Sequence, residues 1–540
     1  MTGPVIVIGA GPSGLHFAQT LLERGIAVTL LDAGKQRPPS ARPELDLDGL
    51  KREHDDSAGY FLGREWQAFV RPDTQSEYYG MPPAKDYVFE SVPGAAVRAE
   101  GFEPLFSYAA GGLAEAWTGG VYPFTREETA DWPFDWSDLH DAYGRVAKRI
   151  GVSGASDDDL RDVFPAHEGL LPALPLDLHG ATLLRSYQAK SARIQARDRV
   201  RLGYARVATL SRALGGRPAC HACGRCLWGC PSDAFYTPSL TLRACLRDAR
   251  FTYRAGWLAT HLRLDAGGRA SHVVARALDG QREESLPASA VVLAAGALGT
   301  SRLVLESLAR TGERVELPGL MDNRQVLMPF VNLKLVGRPF TSASYQYHQL
   351  ALAYAPGAPR DGAHGLFTTL KTALVHPIVH ALPGSLGHGL GVLRNIHAAL
   401  GLLNVNLADE RRDACRVALE RDPANGASRL VLHYVPDAGE PARIGAALSA
   451  LRRMLLRLGC IAPPPMTRVR PMGASVHYAG TLPMTREGGA MTCDANGKLR
   501  GLRNVWVADG ASFPTLPAKN LTFTLMANAT RIAERFESEA

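Results

Sequence analysis

Apolar residues run along this chain in two rhythms. The first is a short continuous run: Val5–Ile8 is apolar at every position and largely β-branched, the pattern of a strand buried on both faces of a parallel sheet. Residues 27–31 repeat it, and residues 251–264 and 271–277 predict further strands. The second rhythm is helical. A helix over 12–24 follows the first strand and is closed by Gly25, and residues 443–458 have the spacing of an amphipathic helix that packs one face inward. The stretch 372–407 comes nearest to a membrane span, but Pro377, Pro383, Arg394 and several Gly interrupt it and no spanning helix is expected. Within it, 374–403 reads as core or interface, with a cap over an apolar pocket or contact with a membrane surface as alternatives. His376 and His380 inside it are four apart, but Pro377 divides them and no acidic partner is fixed, which makes a weak metal pair.

The junction between the first strand and the first helix carries candidate chemistry. Gly9-Ala10-Gly11-Pro12-Ser13-Gly14 follows Val5–Ile8 without a spacer, so GxGxxG sits between strand and helix. Gly9 permits the tight turn, Gly11 lets backbone approach a pyrophosphate, and Gly14 lets the helix pack closely on the strand. The helix that starts at Pro12 and Ser13 turns its free N–H groups and positive dipole end toward those phosphates. Asp32, with Ala33 beside it, ends the second strand 18 residues past Gly14, where an acid accepts from ribose hydroxyls. The complete βαβ unit predicts dinucleotide binding over a Gly-rich surface turn, while its spacing does not separate FAD from NAD.

Later segments, read in order, resemble the glucose-methanol-choline (GMC) family of flavoprotein oxidoreductases. They are Ala110-Gly111-Gly112 within YAAGGLAEAWTGG, Asp131-Trp132-Pro133 followed by 136–143, AVVLAAGALGTS over 290–301, His477-Tyr478-Ala479-Gly480-Thr481 with Met484, VWVADG over 505–510, and Asn520 opening a helical segment. The resemblance implies FAD as cofactor and an α/β fold. A Rossmann-like FAD-binding domain, discontinuous over 1–155, 205–310 and 465–540, would join an α+β substrate domain built on an antiparallel sheet over 156–204 and 311–464. It implies His477 as the active-site histidine, Asn520 as its partner, and Asp509 beside the flavin's phosphate or ribityl side. Gly111 and Gly112 would contact the flavin, and Ala259 would touch adenine with backbone. Residues 109–120 hold no His, so the FAD is expected to be noncovalent. The implied reaction oxidises a substrate alcohol by hydride transfer to flavin N5. A histidine of near-neutral pKa suits the departing hydroxyl proton, although any one of 16 His can equally be a structural residue.

Cys220, Cys223, Cys226 and Cys230 read CxxCxxCxxxCP, the spacing bacterial ferredoxins use for iron-sulfur clusters. Three readings stand together: a four-iron cluster or a three-iron cluster on Cys220, Cys226 and Cys230, zinc, and a structural segment with no metal. The three-iron spacing resembles that of bacterial glucose dehydrogenases of the same family. A cluster would give reduced FAD an exit to a protein or quinone acceptor.

Composition changes this picture little. At 46% hydrophobic and 21% charged, the chain is that of an ordinary folded protein, and its +7 charge is spread without a block of like charges, which excludes nucleic acid as the natural partner. No export signal is evident at the start, so the cytoplasm is the expected compartment. The substrate is expected to be a small-molecule alcohol, either a sugar or polyol or a hydroxylated secondary metabolite or lipid. A flavin-containing lyase, an oxidase using dioxygen and a catalytically silent flavoprotein are the alternatives.

Overall fold

A computed structural model describes residues 4–39, 41–68, 82–93, 95–369, 379, 384–422 and 427–537. Val5–Ile8 lies at the centre of a five-stranded parallel sheet in the order Val505–Val507, Ala290–Leu293, Val5–Ile8, Val28–Leu31, Phe251–Arg254. Continuous apolar runs fit this position because both faces are covered. Phe17 and Leu21 of helix Pro12–Glu23 and Ala529 and Ile532 of helix Thr522–Glu534 pack with Val5 and Val7. Ile6, Ile8 and Leu293 point the other way, into a core shared with Val304 and Leu308 of helix Ala297–Arg310. The strand predicted over 251–264 is two strands. Phe251–Arg254 stays in the parallel sheet, and past Gly256 the chain leaves it as Trp257–Leu264, which pairs antiparallel with Ala270–Ala277 and through it with Glu283–Pro287.

A second layer is antiparallel. Its seven strands include Arg324–Asn332, Leu400–Leu407, Ala363–Thr369, Leu350–Tyr354 and Val200–Tyr204, adjacent in that order. One face, with Val326, Met328, Leu403, Val405 and Leu352, packs on Leu451, Met454 and Leu455 of helix Glu440–Leu458, which contains the predicted amphipathic helix. The opposite face brings Leu366, Ala351 and Ala353 against Tyr122, Phe164 and Tyr345 of the remaining structure. The protein is thus α/β, with a parallel nucleotide-type sheet assembled from distant segments and an antiparallel sheet laid beside it. A smaller four-stranded sheet joins Val97–Glu100 to Ser428–His433, Arg416–Arg421 and Leu317–Pro318.

His376 and His380 lie outside the described residues. From the same apolar stretch come helix Leu386–Ile396, with Leu386 and Leu390 exposed, and the start of strand Leu400–Leu407. Among the described residues no helix is long and apolar enough to cross a membrane.

Candidate active site

A cleft of about 530 Å³ opens where the parallel strands end, and it gathers most of the residues expected to hold FAD. Gly9, Gly11, Pro12 and Ser13 line it, as do Asp32, Ala33, Gly112, Ala259 and Asp509. The turn is shaped by close approach. Gly9 has φ +104°, and a Cβ there would stand 2.5 Å from the Ala294 carbonyl oxygen, whereas a Cβ on Gly14 would be driven into the Gly9 carbonyl. Gly14 therefore serves packing of helix on strand and does not line the cleft. A Cβ built on Gly11 meets nothing within 4 Å, which leaves the space a pyrophosphate needs above the first helical N–H groups. Gly111 also stands back from the cleft, its N–H donating to the Ala10 carbonyl and so tying the second Gly-rich stretch to the first.

Two carboxylates flank the cradle. Asp32 accepts from the Ala10 N–H at 3.2 Å and from the Tyr253 hydroxyl at 3.2 Å, and burial pushes its pKa up to about 7. At the other end Asp509 accepts from the Thr300 hydroxyl at 2.6 Å and from the Ala511 N–H at 3.0 Å, with burial raising it to about 6. Room for phosphates, an acid at the second strand and a second acid near the far end together fit FAD.

His477 and Asn520 meet at that far end. Their chain neighbours Val476, Tyr478, Leu521 and Thr522 line the cleft, and the His477 Nε2 lies 3.2 Å from the Asn520 amide nitrogen. What holds His477 is a residue the sequence did not single out. Asn323 donates from Nδ2 to the carbonyls of Leu407 and Pro517, both at 2.9 Å, so both amide protons are used and its Oδ1 must face the His477 Nδ1, 2.9 Å away. A carbonyl oxygen only accepts, hence Nδ1 carries the ring proton and Nε2 presents its lone pair. Asp322 supports the backbone, accepting from the Gly473 N–H at 2.8 Å, the Ser475 hydroxyl at 2.5 Å and the His477 N–H at 2.8 Å. Burial lowers the His477 pKa to about 4, so the neutral ring is the resting form. The Asp322-Asn323 pair precedes an ordinary strand and has no local pattern that marks it; its role appears only when the antiparallel sheet is assembled.

The four cysteines of the 220–230 segment come together in one place. Cys220, Cys223, Cys226 and Cys230 line one small pocket, but among the described residues no group of three or more His, Cys, Asp or Glu is placed to hold a metal ion. As placed, the four thiols form no such group, and no step runs through a cluster. The loop is instead a clasp. Arg225 is fully buried and donates to the carbonyls of Ala41, Arg42 and Leu45, while Cys226 packs among Phe235, Tyr345 and Tyr347 and accepts from the Tyr347 hydroxyl at its carbonyl. Short spacing of thiols answered to a tight wrap around an arginine and an aromatic cluster.

With this geometry in place, comparison with known proteins is informative. Residues 411–529 match the family described as GMC oxidoreductase, and residues 2–44 match that described as FAD binding domain. Over these segments the chain is similar to GMC-type oxidoreductases. A GMC-type oxidoreductase of Mycobacterium tuberculosis is 27% identical over 356 residues, 59% of this chain and 50% of that protein, so the chain spans about half the length of this relative. The paromamine 6'-oxidase of Streptomyces fradiae is 25% identical over 98% of this chain and 90% of its own. The solved structure of a pyridoxine 4-oxidase from Mesorbium loti shares the fold over 99% of both chains, with a TM-score of 0.61 at 16% identity. The matched GMC segment contains both His477 and Asn520, and the matched FAD segment contains the whole turn from Gly9 to Asp32.

Proposed function

We propose that this protein is a GMC-type oxidoreductase that binds FAD noncovalently and oxidises a CH–OH group of a small-molecule alcohol to a carbonyl. The observation that carries this reading is the His477 ring, neutral and fixed with its Nε2 lone pair toward Asn520 at the end of the FAD cleft. Gly9 to Ser13 hold the pyrophosphate, Asp32 the adenosine ribose, and Asp509 and Gly112 the flavin end. FAD, when bound, supplies the two-electron acceptor that takes hydride from the alcohol carbon at N5.

The chain's own residues manage the proton. Nε2 accepts it from the substrate hydroxyl as the C–H bond breaks, and Nδ1 keeps its own proton, donated to Asn323 Oδ1, so the ring becomes imidazolium without rotating. Asn520 holds the same oxygen, since its amide nitrogen already sits at the Nε2 lone pair. The family names of the relatives, among them an oxidase of paromamine, support alcohol chemistry on a hydroxylated substrate. Anaerobic mixing with a panel of alcohols and sugars tests the reading: a substrate bleaches the flavin of the wild type and leaves that of His477→Ala oxidised. Turnover without bleaching would instead mark a lyase on this scaffold. Admitting air, a quinone or a dye to the bleached protein then identifies the acceptor.

A further inference from the structure

One half of the catalytic pair sits on a loop without regular structure. Residues 517–521 belong to neither helix nor strand, yet the Asn520 amide nitrogen stands 3.2 Å from the His477 Nε2. A spacing on which proton transfer depends has to be held by packing and hydrogen bonds from its surroundings.

On one side of the pair the holding residue is Asn323. Its amide protons tie the Pro517 carbonyl to that of Leu407, while its Oδ1 faces His477. On the other side it is the immediate neighbour of Asn520. Lys519 is 2% exposed, and its ammonium donates to Glu128 Oε2 at 2.7 Å, to the Val163 carbonyl at 2.7 Å and to the Pro123 carbonyl at 3.0 Å. An ammonium has three N–H groups, so three acceptors use all of them and leave the head group one orientation.

These acceptors are themselves fixed. Glu128 Oε2 also accepts from the Thr125 N–H at 2.7 Å, and the Glu128 carbonyl accepts at 3.0 Å from the Thr515 hydroxyl, which accepts in turn from the Trp132 indole at 2.8 Å. Pro123 belongs to the segment that starts at Gly120, where a Cβ would stand 3.4 Å from Asn520 Oδ1. That segment is joined to the fold by the Val121 N–H, which donates to the Arg206 carbonyl. The Lys519 head group therefore grips the same segment against which Asn520 lies. A buried ion pair adds little net stability over apolar residues of the same volume, so the consequence of this one is sought in geometry.

We propose that Lys519 is a positioning residue: clamped by Glu128, Pro123 and Val163, it fixes the chain one residue before Asn520 and so sets the Asn520 amide on the His477 Nε2. Lys519 stands outside the lining of the cleft and acts through Asn520. This rests on the alcohol-oxidation reading above, in which that amide and Nε2 share the reacting oxygen.

The test compares the FAD-loaded wild type with Lys519→Met, with Lys519→Met/Glu128→Gln, and with the same changes in an Asn520→Ala background. The paired change leaves no buried charge without its partner and keeps an acceptor for the Thr125 N–H, so whichever variant retains flavin decides. With an alcohol that bleaches the wild-type flavin, the variant is expected to lower the limiting rate of flavin reduction by about 10- to 100-fold, the scale of a small misplacement of reacting groups. The half-saturating substrate concentration should stay near its wild-type value. In Asn520→Ala the same change is expected to alter the rate by less than about 2-fold, because effects that pass through one residue do not add. An equal loss in both backgrounds would overturn the proposal, and so would loss of flavin from both variants, since Lys519 would then serve the fold at large. The His477 Nε2 gives a second readout that needs no turnover. Its nitrogen-15 resonance, identified by its absence from His477→Ala, is expected to shift in the Lys519 variant in the direction seen for Asn520→Ala. A resonance left at the wild-type position would sink the proposal. If no alcohol bleaches the wild-type flavin while that shift occurs, the alcohol-oxidation reading falls and the positioning of Asn520 by Lys519 stands.

Discussion

The two ends of the cleft are built on opposite principles. At the cradle end, function is carried by backbone within one contiguous unit: the Gly9–Gly14 turn, the helix behind it and the strand that delivers Asp32 all come from the first 32 residues. At the other end, side chains of Asn323, His477 and Asn520, with Asp322 bracing the His477 backbone, meet from distant parts of the chain. The cradle comes from one contiguous unit, and the His477 end is assembled from distant segments. A contiguous backbone site should fail all at once when its turn is altered, whereas the dispersed site should lose its properties one at a time.

The largest expected effect is at the cradle. Gly14→Val adds atoms where even a Cβ collides with the Gly9 carbonyl, so the helix must move off the strand. The protein is expected to purify without flavin, measured by its visible absorbance, and so without any activity. Retention of a full complement of FAD would break the contrast drawn above. His477→Ala comes next. It should keep its flavin and its fold but lower the limiting rate of flavin reduction by about 10²- to 10⁴-fold, the usual contribution of a positioned base, as read by anaerobic stopped flow.

How far each end could be read in advance follows from the same difference. The cradle was legible because strand, turn, helix and second strand are neighbours in sequence, and each residue's task follows from local geometry. His477 and Asn520 were legible only through resemblance, since a histidine alone has no local mark. Asp322 and Asn323 were not legible, because their contacts with the His477 segment form only when distant parts of the chain are assembled. The Cys220–Cys230 spacing left a cluster, zinc and a metal-free segment open, and in the structure the loop wraps Arg225 and an aromatic cluster. Likewise 251–264 reads as one apolar strand, yet the chain changes sheets near Gly256.

Asn323 allows a finer division of the catalytic end. Asn323→Leu removes the acceptor that keeps the proton on Nδ1, so the ring can present either nitrogen to substrate, and the rate of flavin reduction should fall by about 10- to 100-fold, part of what the base supplies. Asn323→Asp keeps an acceptor and adds a negative charge, which stabilises the imidazolium and raises the His477 pKa. The acid limb of the pH profile reports this directly. In the wild type, burial holds His477 near 4, so the neutral, proton-accepting ring persists as pH falls through 6 and is lost only near 4. In Asn323→Asp that limb should move to higher pH, measured as flavin reduction per substrate concentration across pH. An unmoved limb would mean that Asn323 braces the loop without tuning the base.

The smallest effect should come from the cysteine loop, which lies outside both ends. If it is a clasp, Cys226→Ser should cost stability alone. A hydroxyl replaces a thiol among Phe235, Tyr345 and Tyr347, and burying it without a firm partner costs about 1–3 kcal/mol. Denaturant unfolding should show that loss, while flavin content and the rate of flavin reduction stay at wild-type values. A redox site would behave otherwise, because loss of one thiol would slow electron transfer out of the reduced flavin while leaving its reduction by substrate intact. Reoxidation by a quinone or dye is therefore the deciding measurement, and equal reoxidation rates in Cys226→Ser and wild type would leave the loop with the single task of tying the 41–45 segment to the antiparallel sheet.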